Sequence, residues 1–405
     1  MDPGLREAAR SLAAFDPLRA LSLVALREDA PGLALRGIAL AQLGDHAAAR
    51  RLLRRAADRR DADSTTRARA LAAEAEVAFA CRDLAAARRG FEAAARLLDR
   101  EQDRGNALFV RIQLARELAL VGESRAARDV LAKLDFRGAP SRVVASEALA
   151  HAEIAVRDEQ AREARGHLRR AYAAARLSRV SFLVAQVERA ARELGEPVAR
   201  VVRRGESRPA TLDDVEAMSR GGDLVLDARR REVRRGATRI SLASRPVLFA
   251  LARTLAEASP DDAPRAALIR DAFGAKQSNE SLRARLRVEV GRVRRALGKL
   301  ADVRATARGF VLAPREAKRV MVLAPLADGE GGALLALLAD GEAWSTSALA
   351  EALGRTQRGV QRALGTLRES GSVQSTGSGR TQRWSRVGRS GFATTLLLVD
   401  PGESR

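Results

Sequence analysis

The chain is short of most residues on which catalytic and metal chemistry depend. A single cysteine, Cys81, excludes a disulfide within the chain and any cysteine-based metal cluster. It sits in Phe79-Ala80-Cys81-Arg82 and reads as a small buried hydrophobe, a redox sensor being the other use. Three histidines, His46, His151 and His167, fall on separate repeats without metal-ligand spacing, so structural or surface roles are expected and no nucleophile–base pair can be drawn. No Gly-rich loop ends in Gly-Lys-Ser/Thr, and Gly377-Ser378-Gly379 lacks the strand-then-helix setting of a phosphate loop. No apolar run approaches the roughly 18 residues of a membrane span, and Met1-Asp2-Pro3-Gly4 does not open a signal peptide. These absences predict a cytoplasmic, soluble protein without membrane contact, which is not an enzyme and uses no cofactor and no metal. Aromatics make up only 3% of the residues, so the cores must be Ala, Leu and Val, a mixture that favours close-packed helices.

Lysine is also scarce, with four residues (133, 276, 299 and 318) among 72 basic ones. Arginine therefore carries a net charge of +21, and a balance of that size is the electrostatic footprint of a chain that meets a polyanion. An Ala/Arg-rich composition is equally what GC-rich coding produces, so composition alone leaves the matter open.

Residues 1–202 read as amphipathic helices with a repeating pattern. Ala49, Leu53 and Ala56 recur as Ala87, Phe91 and Ala94, as Ala127, Leu131 and Leu134, and as Ala164, Leu168 and Ala171. Twelve positions before each first alanine stands Gly37, Ala75, Ala115 or Ala152. Small residues at these offsets let two antiparallel helices approach, and each hairpin buries its face by stacking on its neighbours. Over about residues 30–175 the pattern resembles the tetratricopeptide family, best in Leu33, Gly37, Leu40, Gly44-Asp45, Ala49, Leu53 and Ala56. The family's bulky aromatics and closing proline are mostly missing. The resemblance implies a concave surface for a protein or peptide partner. A stalk that only spaces or dimerises the other domains is the alternative.

Arg203–Pro209 is polar and holds Gly and Pro, so residues 203–220 are expected to be a linker. Short strands follow at Asp223–Leu226, Glu232–Arg234 and Arg239–Leu242, with a turn at Gly236. Helices are expected at about 244–258, with Ser244 as N-cap, at 264–273 ended by Gly274, and at 279–297. Val303–Thr306 and Gly309–Leu312 can then pair. In the third helix Leu282, Leu286, Val290, Val293 and Leu297 form one apolar stripe. Ser281, Val288, Gly291 and Arg295 lie opposite, flanked by Arg285 and Arg292 on one side and by Arg283, Arg287 and Arg294 on the other. An apolar back and an arginine front suit the major groove of double-stranded DNA, where Arg reads guanine edges and holds phosphates. A solvated face in an arginine-rich protein is the plainer explanation. Against it, residues 221–315 carry 21 basic and 10 acidic residues, about half of the whole chain's excess.

The order of elements over about 223–313 resembles the OmpR/PhoB-type effector domain. The likeness rests on Leu224–Asp227, Ile240–Leu242, Phe273-Gly274, Val293–Leu297 and Thr306–Phe310. It implies that Arg285, Val288 and Arg292 face bases, that Arg294 meets the backbone, and that Thr306 and Arg308 sit on the wing. No receiver domain precedes it, and the wing motif is shortened at Gly309-Phe310.

Residues 320–400 are expected to form a second module. It would hold a strand at 320–326, helices at about 333–339, 347–353 and 355–369, and a hairpin over 373–385 with a Gly-rich tip. Val360, Leu364 and Leu367 would face its core. Arg355, Arg358 and Arg362 would stand opposite with Thr356, Gln357 and Gln361, side chains suited to base edges. Arg380 and Arg383 on the hairpin would straddle the backbone or minor groove, and Trp384 would be a core residue. Over about 331–386 this resembles the winged-helix regulators, MarR-like in outline. Ala393–Val399 would pair with 320–326, or could serve self-association as a homodimer.

The expected architecture is thus a mainly α multidomain chain, an α-helical hairpin solenoid followed by two α+β winged helix-turn-helix domains. The expected function is a transcriptional regulator binding double-stranded DNA through both modules, with the repeats as an input or assembly domain. A repeat scaffold whose winged helices bind proteins, and charge-driven binding of DNA without sequence preference, remain as alternatives.

Overall fold

The computed structural model of the chain describes residues 2–275, 279–317, 319–326, 331–338, 343–377, 379 and 382–386. These are mainly helical, with 18 helices and three small sheets. Two compact units emerge, one of residues up to Leu194 together with those from Leu334 onward, the other Gly195–Ala333.

Eleven helices open the first unit: α1 (Pro3–Ala13), α2 (Pro17–Val24), α3 (Ala30–Gln42), α4 (His46–Asp58), α5 (Ser64–Ala80), α6 (Leu84–Arg100), α7 (Arg104–Leu120), α8 (Ser124–Ala132), α9 (Ser141–Arg157), α10 (Ala161–Ser178) and α11 (Ser181–Glu193). Aspartate starts many of them. Asp2, Asp16, Asp29, Asp45, Asp63 and Asp103 each occupy an N-cap and accept a first-turn N–H. A cap of this kind satisfies a donor the helix leaves open and stabilises it by about 1 kcal/mol.

Successive helices pair, α3 with α4, α5 with α6, α9 with α10. The recurring alanines Ala49, Ala87, Ala127 and Ala164 are fully buried at these contacts, beside Leu53, Phe91, Leu131 and Leu168. A Cβ on Gly37 would lie 2.7 Å from Leu53 Cγ, and one on Gly90 2.6 Å from Ala75 Cβ, so these pairs touch where only small residues fit. Three of the alanines are followed by an arginine that reaches the next pair. Arg50 bonds Glu74 at 2.8 Å and Asp83 at 3.1 Å, Arg88 bonds Glu117 at 2.9 Å, and Arg128 bonds Asp158 and Gln160. The rings of Phe15 and Phe182 stack 4.5 Å apart, bringing the α1–α2 turn against α11. α5, α7 and α9 are buried on nearly every face, Phe109, Gln113 and Glu117 of α7 included.

The same unit ends with α17 (Thr346–Ala352), α18 (Gln357–Glu369) and the antiparallel pair β10 (Val373–Thr376) and β11 (Arg383–Arg386), preceded by α16 (Gly331–Leu337). Trp344, fully buried, exchanges backbone hydrogen bonds of 2.8 and 2.7 Å with Trp384. Both join one apolar cluster with Phe79, Phe91 and Leu98 of α5 and α6. The Arg82 guanidinium lies 5.0 Å from the Trp344 ring centre and 5.3 Å from that of Phe79.

In the second unit, β1 (Ala199–Arg203) and β2 (Glu206–Ala210) form a hairpin, and α12 (Leu212–Arg220) starts at a capping box of Thr211 and Asp214. β3 (Leu224–Asp227), β4 (Glu232–Arg235) and β5 (Thr238–Ser241) follow, then α13 (Pro246–Ala258), the short β6 (Ala263–Pro264), α14 (Arg265–Phe273), α15 (Glu280–Leu297), β7 (Ala301–Ala305), β8 (Gly309–Pro314) and β9 (Val320–Ala324). The main sheet runs β2-β1-β9-β3-β4-β5, and β6-β8-β7 form a second. Leu251, Leu268, Leu286, Val293, Val303 and Phe310 pack between the helices and the strands. Gly309 is demanded by the β6–β8 approach, because a Cβ there would fall 1.8 Å from the Ala263 carbonyl oxygen.

Three expectations are corrected. The stretch 203–220 is not a linker but most of a hairpin and a capped helix, its polar residues lying on the exposed side of β2. The strand at 320–324 belongs to the first sheet, antiparallel to β1 and parallel to β3. All five of its residues are buried, as a continuous apolar run requires of a central strand. Residues 393–399, expected beside it, lie outside the described residues. Finally, α13 takes Arg245 rather than Ser244 as N-cap, with Pro246 at its first position, where the missing N–H costs nothing.

Candidate nucleic-acid interface

Asn279 accepts the Leu282 N–H at 2.9 Å and so fixes the start of α15. Leu286, Val290, Val293 and Leu297 are buried on its back, with Leu282 half-buried beside them. On its front Val288 is 56% exposed, an apolar side chain left in solvent between Arg285, Arg292 and Arg295, all exposed. Arg285 lies over the Phe273 ring, 4.5 Å from its centre, which ties α15 to the end of α14. Arg292 bonds the buried Glu289 at 2.8 Å. Arg283 and Arg287 share Glu280, at 3.8 and 3.2 Å.

The far flank of α15 holds the β7–β8 hairpin. Arg294 donates to the Val303 carbonyl at 3.0 Å and pairs with Asp302 at 3.2 Å, so part of its donor capacity serves the fold. The Thr306 hydroxyl donates to Asp262 at 2.6 Å and accepts the Gly309 N–H at 2.9 Å. Arg265 donates to the Ala307 and Thr306 carbonyls at 2.8 and 3.0 Å. Thr306 is therefore spent on shaping the turn, whereas Arg308 stays exposed, 4.0 Å from Asp262. Arg304, exposed on β7, was not singled out in the sequence. Its alternation with Val303 and Ala305 in a strand would have flagged it.

In the last segment Ser345 caps α17, Gly354 takes a left-handed φ of 58°, and Thr356 caps α18 through the Gly359 N–H. Val360, Ala363, Leu364 and Leu367 are buried. Arg355, Gln357, Arg358, Gln361 and Arg362 are all exposed, and among the described residues none of these three arginines has a carboxylate within ion-pair distance. Arg380 lies outside the described residues. Arg383, on β11, is half-buried and donates to the Gln382 carbonyl at 3.0 Å. Trp384 is buried, its indole N–H donating to Thr346 at 3.1 Å.

Burial pushes the Cys81 thiol up, away from a reactive thiolate. Two of the histidines, expected on separate repeats, meet within one helix pair. The rings of His151 and His167 stack 4.9 Å apart across α9 and α10, with Glu147 3.0 Å from His151 and Glu163 3.6 Å from His167. Burial, then the neighbouring His151, lowers the pKa of His167. Among the described residues no group of three or more His, Cys, Asp or Glu could hold a metal ion, and no helix is long and apolar enough to cross a membrane.

Set against family models, curated proteins and solved structures, the chain matches none.

Proposed function

We propose that this chain is a DNA-binding transcriptional regulator. In this reading α1–α11 form a tetratricopeptide-like solenoid, β3–β8 an OmpR/PhoB-type winged helix, and α16–β11 a second winged helix. α15 and α18 are the recognition helices, and the β7–β8 hairpin is a wing. The observation that carries the reading is α15, capped and packed on its apolar back while Arg285, Val288, Arg292 and Arg295 stand exposed on its front. Guanidinium groups so displayed suit guanine edges and phosphates, and an exposed valine suits a thymine methyl. α18 repeats the arrangement with Arg358, Gln361 and Arg362. Two linked readers raise local concentration and so affinity without new contacts. The solenoid would take a protein or peptide partner, or assemble the regulator.

The test is selection of binding sites from genomic DNA by the purified full chain at two salt concentrations. A reproducible motif retained at the higher salt is expected. With 6–10 phosphate contacts, affinity should still fall roughly 10³- to 10⁵-fold between about 50 and 200 mM salt. Enrichment without a motif would replace sequence reading with charge-driven binding, and no retained DNA at low salt would remove the regulator reading.

A second reading has one observation in its favour. Trp344 and Trp384 pack with Phe79, Phe91 and Leu98 of α5 and α6, so the β10–β11 hairpin serves a protein contact inside the chain. A scaffold in which winged helices bind proteins would extend that use, and would tolerate loss of Arg285, Arg292, Arg358 and Arg362.

A further inference from the structure

Beside the front of α15, the start of α13 leaves a cavity of about 640 Å³ lined by Arg245, Pro246, Leu248, Glu289, Arg292 and Arg295, among others. Three arginines, the N-cap of α13 and two of α15, thus line one hollow with a single acidic residue. That carboxylate is already engaged, since Glu289 bonds Arg292 at 2.8 Å. Arg245 and Arg295 are exposed, and among the described residues neither has an acidic partner within ion-pair distance. Guanidinium groups that share one hollow repel one another, and an anion accepting from both would remove the repulsion.

We propose that this cavity seats a backbone phosphate of the duplex whose major groove receives α15. The proposal rests on the reading of α15 as a recognition helix. Arg292 and Arg295 belong both to the cavity wall and to the exposed front, so an anion lodged there borders whatever the front reads. This makes Arg295 a phosphate anchor instead of a base reader, and adds Arg245, which lies outside α15 altogether. With Arg304 and Arg308 on the opposite flank, the recognition helix would be held to both walls of the groove.

The experiment uses the full chain with Arg245→Gln and Arg295→Gln, titrated against its selected duplex and an unrelated duplex over a range of salt. Both duplexes should weaken by the same factor, about ten- to a hundredfold, and the slope of log affinity against log salt should shrink by up to about one, the share of a single phosphate. Arg245→Lys, which keeps the charge, should restore the slope. Unchanged affinity and slope in both Gln variants would overturn the proposal, as would a loss confined to one sequence, which would make Arg295 a base reader. Variants that lose binding of inorganic phosphate yet keep DNA affinity would assign the cavity to a free anion and overturn it too. If the wild-type chain bound no duplex at all, the reading of α15 itself would fail first.

Discussion

Phe273 closes α14 and holds the guanidinium of Arg285 over its ring, 4.5 Å from the centre. The pair fixes in advance the direction of a side chain that must otherwise be ordered on binding. Arg285→Ala should therefore weaken the selected duplex by about 1–3 kcal/mol and relax preference at one base position. Phe273→Leu keeps the arginine but frees it, and should cost about 0.5–1 kcal/mol. Fluorescence anisotropy with a labelled duplex measures both. Equal losses on unrelated DNA would mean that Arg285 meets phosphate.

The contact between α3 and α4 has no room for a methyl group at Gly37. Gly37→Ala should lower unfolding stability by about 1–3 kcal/mol through overpacking against Leu53, outweighing the helix propensity gained. Gly166 of α10 has nothing within 4 Å of an added Cβ, so Gly166→Ala should stabilise instead by about 0.5–1 kcal/mol. Urea unfolding followed by circular dichroism separates the two signs.

Trp344 is the largest fully buried side chain of its surroundings. Trp344→Ala should cost about 3–5 kcal/mol, and loosen β10–β11 along with the bridge to Trp384. Proteolysis of the variant should open first within 343–386. If cleavage began in α5 or α6 instead, the stability of that cluster would reside in the helices alone.

Burial pushes the Glu117 carboxyl above its ordinary value of 4.5, Arg88 pulls it down, and Glu351 and Glu123 add to the rise. A carboxyl raised on folding holds its proton more tightly in the native state. Its contribution to stability is complete below about pH 4.5 and is lost as pH climbs through the native value. Wild type should thus lose stability relative to Glu117→Gln over that interval. Parallel stability curves for the two proteins would show that the Glu117 carboxyl titrates alike in the native and unfolded chains.

Much of this was legible because it is local. The alanine period marked the buried contacts at 49, 87, 127 and 164, Gly274 ended α14, and the stripe from Leu286 to Leu297 gave the back of α15. What escaped depends on distant partners. Val320–Ala324 reads as a strand, but nothing in it says that β1 and β3, about 120 and 95 positions earlier, lie on either side. Ala199–Arg203 passed for the end of the helical region although one of its partners, β2, lies only three residues on; the other, β9, is distant. Thr306 has the chemistry of a contact residue, and only its partner, Asp262, reveals that it works inward. His151 and His167 meet because α9 and α10 fold back on each other.

The arginine after three of the repeat alanines has a consequence for how such a chain can lengthen. Arg50, Arg88 and Arg128 each supply one half of a joint whose other half lies in the following helix pair. A tandem duplication spanning one full period carries an arginine out at one end and brings an acceptor in at the other, so every seam closes again. A break at any other length strands a buried carboxylate such as Glu117. Growth by whole periods is thereby the tolerated route, and the number of helix pairs can change while their joints stay the same.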